Sequence, residues 1–234
     1  MIPETDQVRE DFDRIALLTE RDGGQRTLYH SYLLGHLPLR CESALEIGCG
    51  AGAFTRLLAT RARSVVGCDL SPQMIRLAQE QQQQQEQRSA SRSHIEYLTG
   101  DVMRLSFAAE SFDCIVTIAT LHHLPRVEAL RKMKDMLKPG GRLIIQDMAA
   151  DGGLIDRAIS ALAYPVSAAI RFRETGHLLP SRELRTAWKE HGKHESYLTL
   201  NEVKEMCKRY LPGAFVRRHL LWRYTVVWNK NAHA

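Results

Sequence analysis

The chain has 234 residues, 44% hydrophobic and 25% charged, with a formal net charge of +5. That length suits one domain with a full two-layer core, and so mild a positive charge argues against a dedicated nucleic-acid binder. Its five cysteines, Cys41, Cys49, Cys68, Cys114 and Cys207, are odd in number and widely spaced, which argues against a disulfide framework or a Cys-x-x-Cys metal site and suggests a reducing, cytoplasmic compartment.

The N-terminus, Met1-Ile2-Pro3-Glu4-Thr5-Asp6, is polar and acidic, unlike a signal peptide, and residues 1–40 are expected to form a helical cover. Periodicity then predicts strand 43–49, helix 52–62, strand 64–69, helix 72–88, strand 94–99, strand 112–119, helix 125–138 and strand 141–148. Such alternation within 41–149 implies a parallel sheet covered by helices. Ser71-Pro72 pairs a hydroxyl N-cap with proline at the first helical position, and Leu124-Pro125 marks a second helix start. Lys138-Pro139-Gly140-Gly141 should stop that second helix before the buried run Leu143-Ile144-Ile145.

The run Gln81 to Gln85 and the polar residues 88–93 read as a solvated connection. Residues 150–198 break the rhythm with Gly152-Gly153, a helix over 154–172, a turn from Gly176 to Pro180 and a short helix near 181–190, the pattern of a lid insertion. The apolar stretch from Leu154 to Ile170 contains Asp156, Arg157 and Pro165 and is too short to span a bilayer. Residues 199–230 should form a last helix near 200–210 and a hairpin of strands 214–221 and 223–229.

Within this frame Leu45-Glu46-Ile47-Gly48-Cys49-Gly50-Ala51-Gly52 joins an apolar strand to a turn almost bare of side chains. Glycines at alternate positions admit positive φ and close approach by a ligand, and the following helix points N–H groups at it. Two further strands end in acids, at Asp69 and at Gly100-Asp101, which suits ribose and adenine recognition. A nicotinamide-binding domain satisfies the same glycine pattern through Gly48, Gly50 and Ala53, with Asp69 about 20 residues on. Glu46 separates the two readings: it suits an ammonium group and would repel a pyrophosphate.

Together these residues resemble the class I S-adenosylmethionine-dependent methyltransferases, specifically the methyltransferase-type-11 group that acts on small molecules. Glu46 to Gly52 resembles the first motif, Asp69 the ribose-binding acid, and Gly100-Asp101-Val102 the adenine-side motif. Phe112-Asp113 through Leu121-His122-His123-Leu124 resembles the fourth motif and Leu137 to Gly141 the fifth. The resemblance implies a doubly wound, Rossmann-like α/β sheet of seven strands in the order 3-2-1-4-5-7-6, the last strand antiparallel.

It further implies S-adenosylmethionine as cofactor, S-adenosylhomocysteine as product and a small-molecule acceptor, with an RNA- or protein-modifying enzyme as the alternative. Cofactor contacts are expected at Glu46, Gly48, Cys49, Gly50, Asp69, Leu70, Asp101, Val102, Thr117 and Ile118. Each has a plainer reading as well, Asp69 as a helix-terminal charge and Asp101 as a turn residue. His122 and His123 are candidate general bases, or packed histidines. Some relatives carry two glutamates and a histidine for a metal here; this chain has Ala119, His122 and His123, so no metal is expected. Phe12, Arg14, Tyr29, His30 and Tyr32 before the sheet, and Trp188, His191, His194 and Tyr197 after it, are candidates for the pocket wall or for packing.

Overall fold

Period-two alternation along the central strands decides which side chain faces which layer. In the computed structural model, which describes residues 5–22, 29–87, 94–150, 153–193 and 195–231, strands β1 (Ser43–Ile47), β2 (Ser64–Asp69), β3 (His94–Thr99), β4 (Phe112–Ile118) and β5 (Leu137–Ala150) form the parallel part of the sheet. Leu45, Ile47, Ile115, Leu143 and Ile145 point to one face and pack under α5 (Arg126–Met136) and α8 (Leu200–Tyr210). Ala44, Cys114, Val116 and Ile144 point to the other, against α2 (His30–Leu34) and α3 (Ala53–Leu58). Each fully buried leucine or isoleucine there contributes about 1.5–3 kcal/mol of transfer free energy.

The order is β3-β2-β1-β4-β5-β8-β7, with β7 (Phe215–Arg218) and β8 (Arg223–Asn229) closing the sheet as an antiparallel hairpin. This is the expected arrangement with one addition, a two-residue strand β6 (Leu198–Thr199) beside the end of β5. The helix stops at Met136, just before the expected stop at 138–141, and those residues form a bulge within β5: Leu137 pairs with Phe112, the register shifts, and Arg142 pairs with Cys114.

Helix α4 (Pro72–Glu86) begins as expected, with Ser71 Oγ accepting from Met74 N–H at 3.1 Å. α6 (Leu154–Thr175) extends past the expected end to Gly176, whose φ of +74° terminates it, and tolerates Pro165 inside. α1 (Thr5–Asp22) and α7 (Arg182–His191) pack together through Ile15, Leu184 and Ala187. Gly152, residues 88–93 and His194 lie outside the described residues. All five cysteines are free and buried, and among the described residues no helix is long and apolar enough to cross a membrane.

Asp113 ties the start of β1 to β4 and β5. Its Oδ2 accepts from Glu42 N–H, Ser43 N–H and Ser43 Oγ at 3.0, 2.9 and 3.1 Å, and Lys138 Nζ sits 2.9 Å from Oδ1. Asp113→Ala should lower the free energy of unfolding by about 1–3 kcal/mol, read from the urea midpoint. An unchanged midpoint would show that the network contributes nothing.

Candidate functional site

β1 runs out at Ile47, and the chain turns through Gly48, Cys49, Gly50, Ala51 and Gly52 into α3. Gly48, Gly50 and Gly52 adopt φ of +72°, +50° and +71°, a region costly for any residue with a Cβ. Space adds to angle at Gly48, where a Cβ would lie 2.0 Å from Thr120 Oγ1. At Gly50 the nearest atom to such a Cβ is Met74 Sδ at 4.0 Å, so the loop is open to a ligand there. Gly48 and Cys49 donate N–H bonds to the Cys68 carbonyl at 2.8 and 3.0 Å, which pins the loop to the end of β2. The buried Cys49 thiol is pushed well above its ordinary pKa, first by burial and then by the charges of Asp69 and Glu46.

Asp69 anchors both sides of the cleft. Its Oδ2 accepts from Gly50 N–H at 2.8 Å and its Oδ1 from Ser71 N–H at 2.9 Å, and each oxygen keeps lone-pair capacity for a hydroxyl. Burial raises its pKa against those two bonds, with Asp13 raising it further and His123 opposing. Asp13 itself accepts from Ser71 Oγ, which brings α1 over this end of the sheet.

Glu46 lies on the α3 face of β1, almost wholly buried, and Thr55 Oγ1 donates to its Oε2 at 2.5 Å. Burial, reinforced by Asp69 and only partly offset by Thr55, pushes its pKa up to about 8. The native state therefore keeps a proton that the unfolded chain releases above about 4.5, and stability should fall as pH rises from there to about 8. Glu46→Gln should flatten that slope in thermal melts of the ligand-free protein between pH 5 and 8; parallel slopes in the two proteins would remove this account of Glu46.

Asp101 follows β3, and its Oδ1 accepts from Met103 N–H at 2.8 Å, so the turn reading holds at that oxygen. The Val102 side chain points into the core, and Leu70 and Ile118 are half-buried. Thr117 is fully buried near the end of β4, with its Oγ1 lacking a hydrogen-bond partner.

β4 continues through Ala119 and Thr120 into a single 3-10 turn, Leu121–His123, which places the two histidines at the mouth of the cleft. His122 Nδ1 lies 2.6 Å from Asp147 Oδ1, and Asp147 Oδ2 accepts from the His122 backbone N–H at 2.9 Å. Glu195 stands opposite: its Oε2 is 3.7 Å from His122 Nε2, and its Oε1 is 3.0 Å from His123 Nδ1 and 3.5 Å from His191 Nε2. The Glu195 side chain is 1% exposed. Burial alone would raise its pKa, yet the three imidazoles hold it below the ordinary value.

β6 explains this placement, because pairing of Ala149 with Leu198 and Ala150 with Thr199 carries residues 195–197 to the end of β5. The expectation that His122 and His123 stand without a carboxylate is thus corrected. Glu195 provides one from a segment remote in sequence, and no local signal marks it. Asp147 did carry a signal, since it closes the apolar run Leu143-Ile144-Ile145 within β5 much as Asp69 closes β2.

Among the pocket-wall candidates, Phe12 meets His123 edge-on with centroids 5.4 Å apart and lies 4.9 Å from His191. Tyr197 lies 4.9 Å from His122, and Trp188 is 6.3 Å from Phe12. Arg14 pairs with Glu190. Tyr29 and Tyr32 pack on His219, and His30 on Phe54, which is a packing role.

A family model described as a methyltransferase domain matches residues 45–145. An uncharacterized methyltransferase of Mycobacterium tuberculosis is 26% identical over 201 residues, which cover 86% of this chain and 93% of that protein. The erythromycin 3''-O-methyltransferase of Saccharopolyspora erythraea is 32% identical over 110 residues, 46% of this chain and 35% of that protein. Among solved structures, phosphoethanolamine N-methyltransferase 2 of Haemonchus contortus, in complex with phosphomonomethylethanolamine and S-adenosylhomocysteine, superposes with a TM-score of 0.62 at 19% identity. That match covers 89% of this chain and 45% of the other, a likeness of fold.

Proposed function

We propose that this chain, a class I S-adenosylmethionine-dependent methyltransferase by its sheet order and its relatives, methylates a small molecule by in-line transfer to an oxygen, nitrogen, carbon or sulfur nucleophile. The nicotinamide reading is set aside, since the glycine loop lies within the matched methyltransferase domain. One observation carries the small-molecule reading. α1 is tied to Ser71 just past β2 through Asp13 and packs on α7, Phe12 of α1 and His191 of α7 lie against His123, and the side chains of His122, His123 and Glu195 are only 5%, 7% and 1% exposed. Side chains so closely covered are reached more readily by a small acceptor than by an RNA or a protein chain. The erythromycin and phosphoethanolamine enzymes, whose names denote small acceptors, point the same way.

In this reading the backbone at Gly48, Cys49 and Gly50 borders the cofactor, and Glu46 receives its ammonium group. Asp69 receives the ribose hydroxyls. Asp101 and the Val102 backbone meet the adenine, which Leu70 covers, while Thr117 and Ile118 border the methionyl part. The residues fit such a ligand: Gly50 is open, Thr117 Oγ1 has no partner, and Glu46 would exchange a costly proton for a cation. When bound, the cofactor supplies a methyl group already activated by the sulfonium charge. The protein's part is then chiefly positioning, worth roughly 7–11 kcal/mol, and exclusion of water. His122, fixed through Nδ1 by Asp147, presents Nε2 to the acceptor side.

Calorimetric titration with S-adenosylmethionine, S-adenosylhomocysteine and NAD, side by side, tests the cofactor. Binding of the adenosyl compounds alone is expected, and binding of NAD alone would overturn the reading. Release of S-adenosylhomocysteine with small hydroxyl and amine acceptors, but not with bulk RNA or protein, tests the acceptor class.

A further inference from the structure

We propose that His122 Nε2, His123 and Glu195 form a site for one divalent transition-metal ion, with a coordination position left for an oxygen of the methyl acceptor. The three side chains offer ligand atoms that all lie within 4.8 Å of one another. Glu195 is the observation that demands an explanation. Both of its oxygens are buried and neither is satisfied by a hydrogen bond, although His123 Nδ1 lies 3.0 Å from Oε1. Both ring nitrogens of His123 are likewise buried and unpartnered. A carboxylate facing two imidazoles without hydrogen bonds is costly, and a cation among them removes the cost.

The distances fit. Metal–ligand bonds of about 2.0–2.1 Å in a tetrahedron put ligand atoms roughly 3.3 Å apart. The Glu195 oxygens stand 3.0 Å from His123 Nδ1 and 3.7 Å from His122 Nε2. The tautomer fits as well. Asp147, 2.6 Å from His122 Nδ1, takes the N–H on that side and leaves the lone pair on Nε2, the carboxylate–histidine–metal relay of established sites. Two imidazoles with one glutamate, completed by a further ligand, form a known catalytic donor set for zinc and for ferrous iron. His191 lies between Asp11, 3.0 Å from its Nδ1, and Glu195, and is a positioning residue for that carboxylate.

The inference rests on the methyl-transfer reading for its chemistry, though not for the ion itself. It narrows the acceptor to a small molecule whose hydroxyl oxygen binds the ion as an anion. The hydroxyl proton leaves to water, the oxygen bonds to the methyl carbon, and the departing sulfur keeps the electron pair of the broken C–S bond. A lone pair on His122 Nε2 serves either as ligand or as base, so the same residue does not also remove the proton.

The test is titration of chelator-treated full-length protein with Co²⁺, followed by the visible absorption of the bound ion, and with Zn²⁺, followed by metal analysis. Wild type should take up one equivalent of either ion. Glu195→Gln should weaken uptake by at least about 100-fold, and Asp147→Asn by about 10–100-fold. His123→Ala replaces Glu195→Gln if the latter does not melt cooperatively. No uptake by wild type, or equal uptake by a folded ligand variant, overturns the proposal. S-adenosylmethionine titration of the same samples separates the two readings: metal uptake without cofactor binding leaves the site standing and removes the methyl-transfer reading.

Discussion

Gly48→Ala is expected to abolish measurable binding of S-adenosylmethionine, a loss of at least about 100-fold in affinity. The backbone there has φ of +72°, which by itself costs an L-residue roughly 1–2 kcal/mol. The larger effect is steric. A Cβ would sit 2.0 Å from Thr120 Oγ1 and 2.6 Å from its Cγ2, so the loop or the chain after β4 must shift. Either shift moves ligand-facing backbone, because Thr120 immediately precedes the turn bearing His122 and His123. Gly140→Ala is the control, with φ of +77° and nothing within 4 Å of the added carbon. It should cost stability alone and leave cofactor affinity unchanged. Affinity within threefold of wild type in Gly48→Ala would mean that the loop does not border the cofactor.

Asp69→Ala should raise the dissociation constant for S-adenosylmethionine by an order of magnitude or more. Charge-assisted hydrogen bonds to the two ribose hydroxyls, at about 1.5–3 kcal/mol each, account for a loss of that size. Asp69 also holds Gly50 N–H, so the variant alone does not separate ribose recognition from loop anchoring. A double-mutant cycle with the 2′-deoxy form of S-adenosylhomocysteine does. If the carboxylate meets the ribose, removing the hydroxyl weakens binding to wild type and adds little in Asp69→Ala. Equal losses in both proteins would assign Asp69 to the loop alone.

The sheet was legible because its signals are local: apolar runs of strand length, a hydroxyl–proline helix start at Ser71-Pro72 and glycines where the backbone turns left-handed. The same holds for the proposed cofactor side, where Glu46, Gly48, Gly50 and Asp69 fall within 24 residues of one another and converge because adjacent parallel strands end together. The acceptor side was read only in part. His122 and His123 stood out, yet their partners come from Asp147 of β5 and from Glu195 before β6, and Asp11 of α1 holds His191 beside them. No spacing rule links Asp11, Asp147 and Glu195, and Glu195 arrives through a pairing of only two residues that periodicity does not resolve.

The shortness of β6 also gives the two halves of the cleft different exchange kinetics. Local opening draws on the bonds and contacts of the segment that opens. Residues 195–199 are held by two ladder positions, whereas Asp69 and the glycine loop are fastened to β1 and β2 inside an eight-stranded sheet. Amide hydrogens near Tyr197 should therefore exchange far sooner than those at Gly48 and Cys49. An acceptor bound as proposed should then enter and leave by local fraying at β6, on a clock independent of the nucleoside proposed to lie across the sheet.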